Sequence, residues 1–127
     1  MNRRIYARDA ILALRKARNA AMELLTSLEY AYDVQHRAAR HMTPSTIPAL
    51  RAALDDNEEQ QRQAMQLVFS ASQHEYELDD EIAKAPAERL VPLGVLAAAA
   101  HDHAEQITGI VRELWRERDW AVVTGGA

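Results

Sequence analysis

The sequence predicts an all-α fold, an antiparallel up-down-up bundle of three long helices making one domain over residues 1–127. Three observations predict it. Apolar residues recur at alternating spacings of three and four over long stretches, with no strand-like alternation. Helix breakers are confined: Gly94 is the only glycine before residue 109, and the prolines fall at 44, 48, 86 and 92. Charge is segregated, with six basic side chains and one acid in residues 1–22 against nine acids and one base in residues 55–81.

The first helix is expected over 4–41. Ile11, Leu14, Arg18, Ala21, Leu25, Leu28, Tyr32, Gln35 and Ala39 form a seam, and Ala10, Ala17, Leu24, Ala31 and Ala38 repeat every seven residues beside it. "MTPSTIP" (42–48) reads as a turn, with Ser45 or Thr46 capping the second helix, expected over 47–84. There Ile47, Leu50 and Leu54 start a stripe that Met65, Val68, Phe69, Tyr76, Leu78 and Ile82 resume. Between them stands "DDNEEQQRQ" (55–63), nine consecutive polar residues. This segment is either a solvated break or a continuous, poorly buried helix. The lack of Gly and Pro and the helix-forming Glu, Gln and Arg favour continuity.

"AKAPAERLVPLG" (83–94) reads as the second turn, and the third helix is expected over 88–120 with Pro92 near its first turn. Its stripe is Leu90, Leu93, Ala97, Ala100, Ala104, Ile107, Val111 and Leu114, whose alanines let a neighbouring backbone come close. The tail 121–127 is expected to fray. Folding the second helix back over the first, with the turn near residue 44, sets Glu75 opposite Leu14 and Glu81 opposite Arg8. Arg8, Arg15, Lys16 and Arg18 then run beside Glu75, Glu77, Asp79, Asp80 and Glu81, so the two sign-biased segments neutralise each other.

Composition narrows the function classes. With 48% hydrophobic and 27% charged residues and a net charge of −4, the chain resembles a soluble globular domain. It has no cysteine, which removes thiolate chemistry and leaves any zinc site to His and carboxylates. No apolar run approaches the roughly 20 residues of a membrane span, and no signal segment follows the basic start, so a cytoplasmic protein is expected. There is no G-x-S-x-G and no Gly-rich phosphate loop, so neither a catalytic set nor a cofactor is expected.

Three functional readings remain. "LAAAAHDHAEQITGI" (96–110) holds His101 and His103, which on a helix diverge by roughly 200° at about 100° per residue. His101 with Glu105 is the better helical pair, and by the hairpin register His74 or Glu75 is the nearest third ligand; His101, Glu105 and His74 are the metal or small-ligand candidates. As polar margins of a packed seam, the same residues need no ligand. A di-iron set is weaker still, because only Glu29 and Asp33-x-x-His36 supply a fragment of the spacing it requires. "HAEQI" (103–107) is similar to the end of the last metal-binding motif of DinB-like helical bundles. That resemblance covers five residues, the family's other spaced histidines have no counterparts, and no site residue follows from it. The second reading is nucleic-acid binding through Arg3, Arg4, Arg8, Arg15, Lys16 and Arg18, which the acidic second helix and the absence of interleaved aromatics oppose. The third is protein–protein interaction. Polar residues (Arg18, Gln35, Asn57, Gln61, Glu75) interrupt the stripes, and Leu12, Val34, Leu67, Trp115 and Trp120 are not all accommodated by one seam each. A small non-catalytic accessory, assembly or regulatory protein, binding another protein or a second copy through those five residues, is the expectation.

Overall fold

The computed structural model describes residues 3–38, 40, 47–84 and 90–116. They form three helices, α1 (Arg3–Ala38), α2 (Ile47–Lys84) and α3 (Leu90–Arg116), packed as an all-α bundle. At ~1.5 Å per residue α1 and α2 are each about 55 Å long and α3 about 40 Å. The helix ends expected at 41, 88 and 120, the caps Ser45 and Thr46, and the tail lie outside the described residues. Pro48 and Pro92 fall in the first turns of α2 and α3, where a missing N–H leaves no helix bond unmade.

Helix α1 is the centre of the bundle. It packs along both α2 and α3, while those two meet each other over far fewer residues. This explains its two parallel apolar sets. Ala7, Ala10, Ile11, Leu14, Ala17, Ala21, Leu24, Leu28 and Ala31 are all buried, so the stripe and the heptad beside it form one broad face serving two neighbours. In α3 the buried residues are Leu93, Ala97, Ala100, Ala104, Ile107, Val111 and Leu114, the expected seam. The facing alanines allow helix axes to approach toward the short end of the usual 8–10 Å. Among the described residues, Leu14, Leu24, Leu28, Leu93 and Ile107 are the largest apolar side chains wholly enclosed.

The antiparallel register of α1 and α2 follows the charge pattern. Glu75 accepts from Arg15 Nε at 2.5 Å and from Arg18 Nη1 at 2.7 Å, one turn from its expected neighbour Leu14. Farther along, the Tyr32 hydroxyl donates to Glu58 at 2.9 Å, and Asn57 Nδ2 donates to the Leu28 carbonyl at 3.0 Å. Helix α3 runs parallel to α1, with His101 stacked on Tyr6. Its last turn therefore comes level with the middle of α1, near Leu24.

The favoured continuity of α2 holds: the helix runs through 55–63 unbroken and largely exposed, but Asn57 is fully enclosed and Gln60 nearly so. Asp55, Asp56, Glu58 and Glu59 face solvent. Beyond the end of α3, among the described helices, α2 has only α1 to pack against, and a narrow polar stripe meets it. Asn57 is made tolerable there by its bond to Leu28 and by Gln61 Nε2, which donates to Asn57 Oδ1 at 2.6 Å. The correction for α2 concerns the stripe. Met65, Phe69 and Tyr76, expected inward, are exposed; Ala64, Ala71, Leu78 and Ile82 carry the inner seam, with Val68 half-buried at its margin.

Candidate functional site

The divergence of the two neighbouring histidines is the first feature of the candidate region. His101 turns to α1 and stacks on Tyr6, ring centroids 4.8 Å apart. Its Nε2 is enclosed without a hydrogen-bond partner. His103 turns to α2, where its Nε2 shares a 2.6 Å hydrogen bond with Ser70 Oγ. The His74 ring lies beside it, tilted, with centroids 4.1 Å apart. Burial, and then the neighbouring His74, push the His103 imidazole below its usual pKa.

The metal candidates are consequently separated. His74 meets His103 rather than His101, because the two histidines of α3 leave on opposite flanks. Glu105 stays exposed and lines an open cleft between α1 and α3 of about 610 Å³, together with Lys16, His101 and Arg112. Among the described residues no three or more His, Asp or Glu side chains gather as metal ligands. The di-iron fragment also points outward: Asp33 pairs with Arg37 at 2.8 Å, and His36 stacks loosely on Tyr32.

Ser70 and His103 have the separation of a nucleophile and its base, a pairing that sequence spacing did not reveal because the residues lie on different helices. An acyl-transfer site also needs donors for a developing oxyanion. The backbone N–H groups around Ser70 and His103 sit in helix interiors, committed to carbonyls one turn back. The cluster is a polar clasp between α2 and α3.

The basic N-terminal segment is partly used up within the fold. Arg15 and Arg18 are engaged by Glu75, whose side chain is only 15% exposed. Arg8 and Lys16 remain exposed; the side chains of Arg3 and Arg4 lie outside the described residues.

The five residues expected to contact a partner fare unevenly. Leu12 is exposed on the outer side of α1. Val34 is half-buried, Leu67 and Trp115 are half-buried and packed against the core, and Trp120 lies outside the described residues. Among the described residues, three large exposed apolar side chains also line the outer face of α2. Met65, Phe69 and Tyr76 are 41%, 66% and 74% exposed, at helix spacings of four and seven, with Ser72 between them. They lie on the side of the helix opposite Ala64, Ala71 and Leu78. Leu96 of α3 adjoins Tyr76 across a shallow cavity of about 380 Å³. No protein-family model, curated protein or solved structure matches the chain.

Proposed function

We propose that this is a small non-catalytic accessory protein, of the assembly or regulatory kind, that works by binding protein through the outer face of α2. The observation that carries the reading is the stripe Met65, Phe69 and Tyr76, three large side chains left to water by a helix already packed through its opposite face. An isolated exposed apolar residue is ordinary on a protein surface. Three aligned on one helix face, two of them aromatic, have the composition of an interface centre. The cytoplasm is the proposed compartment, where a cysteine-free chain forgoes no disulfide.

The alternatives have less support. Metal binding through His101, Glu105 and His74 lacks a common centre, since His74 and His103 face each other. Nucleic-acid binding loses Arg15 and Arg18 to Glu75.

The test is photo-crosslinking from a photoreactive phenylalanine analogue in place of Phe69, with the same analogue at exposed Glu23 on α1 as control. The reading expects protein adducts from position 69 at much higher yield than from position 23. Equal yields at the two positions would remove its basis.

A further inference from the structure

From the pattern of the outer face of α2, we infer that its partner is a second copy of this chain, paired antiparallel, α2 against α2, about a two-fold axis near residue 71. The inference rests on the reading of that face as a contact surface and specifies what covers it. The face runs Arg62, Met65, Phe69, Ser72, Tyr76, Asp80, at steps of three or four residues, so all six lie within a narrow band along the helix. Read backwards, the same series is complementary to itself. With the axis near residue 71, Met65 of one copy comes opposite Tyr76 of the other, a thioether against an aromatic ring. Phe69 comes opposite the small Ser72, which leaves room for the ring.

The charges at the ends select the direction. Arg62 ends the stripe on one side, pairing within its own helix with Glu59 at 2.6 Å. Asp80 ends it on the other, pairing with Lys84 at 2.8 Å. Antiparallel pairing sets Arg62 level with Asp79 and Asp80 of the second copy, and Lys84 level with Glu58 and Glu59. A four-charge chain of alternating sign, Glu59–Arg62–Asp80–Lys84, then closes each end of the interface. A parallel arrangement would set Arg62 against Arg62 and Asp80 against Asp80. From Arg62 to Asp80 the contact spans about 27 Å of helix at ~1.5 Å per residue. The two-fold closes it, so both copies use the same patch and no open surface is left to propagate.

Sedimentation equilibrium of the full chain over a range of concentrations tests this, with circular dichroism to verify that each variant keeps its helix content. Wild type is expected to be a dimer. Phe69→Asp is expected to shift it to monomer. Arg62→Asp and Asp80→Arg alone each create two repulsive contacts per dimer and are expected to weaken dimerisation about tenfold. The double variant Arg62→Asp/Asp80→Arg restores opposite charges and is expected to recover most of the loss. A wild-type monomer overturns the inference, as does a dimer indifferent to Phe69→Asp or a double variant weaker than both singles. A monomer that still crosslinks from position 69 to a different protein refutes the second copy alone and leaves the interaction reading standing. A monomer with no adduct there refutes both.

Discussion

At the scale of single residues, the bundle contains groups whose contributions have opposite signs. Gly109 sits in the interior of α3, and a Cβ built there meets nothing within 4 Å. Gly109→Ala removes the conformational penalty of glycine in a helix without a clash, so it is expected to raise unfolding stability by about 1 kcal/mol in urea titration. Glu75 ties α2 to α1 through two guanidinium groups, one of them half-exposed. Glu75→Gln is expected to cost about 1 kcal/mol by the same assay, since pairs open to solvent are screened. His103, beside Ser70 and His74, has its pKa held down by burial and by the neighbouring imidazole. The unfolded chain therefore takes up a proton at His103 more readily than the folded one. The contribution of this group to stability is present above the ordinary histidine pKa of 6.5 and is lost as pH falls through that value toward the lowered one. Thermal melts between pH 7.5 and 5 should fall more steeply for wild type than for His103→Gln. Parallel slopes would show that the clasp is not coupled to protonation.

At the scale of elements, α2 is the helix where sequence and fold part company. For α3 the seam from Leu93 to Leu114 could be read residue by residue, because large and small apolar side chains follow one stripe. For α1 the stripe and the adjacent alanine heptad were both legible, and only their fusion into one two-sided face needed the fold. Periodicity in α2 is ambiguous for a physical reason. Ala64, Ala71 and Leu78 repeat every seven residues, while Met65, Phe69, Ser72 and Tyr76 recur at spacings of three and four. Either set can be buried. Bulk drew the expected stripe through Met65, Phe69 and Tyr76 as well as Val68, Leu78 and Ile82, yet close packing against the alanine-rich face of α1 suits the first set. The same logic governs 55–63, where the enclosed stripe is amide rather than hydrocarbon. Asn57→Ala removes the donor to the Leu28 carbonyl, takes away the partner of Gln61 and opens a small void. Its expected cost is about 2 kcal/mol in chemical denaturation. A loss below a few tenths of that would mean the amide layer is idle. The histidine site was half legible: the divergence of His101 and His103 follows from helix geometry, but the meeting of His103 with Ser70 and His74 depends on the α2–α3 register. The hairpin register brings His74 near the α3 histidines, but it sets His74 with His101 rather than with His103, because those helices carry no segregated charge to fix their facing.

At the scale of the whole molecule, α1 packs against two neighbours through one broad face, and all three helices keep an outer side open to solvent. On α2 that side is apolar in its middle and oppositely charged at its ends, the pattern of an antiparallel self-contact. The chain has no native cysteine, so a single introduced cysteine carries a spin label at one known place. Measuring the distance between labels in the assembled protein, first for Ser72→Cys near the axis and then for Lys84→Cys at the far end, tests the central claim most directly. Antiparallel pairing about residue 71 predicts a short separation at position 72 and about 40 Å at position 84, from twice 13 residues at ~1.5 Å each. Short separations at both positions, or no defined separation at either, would contradict it.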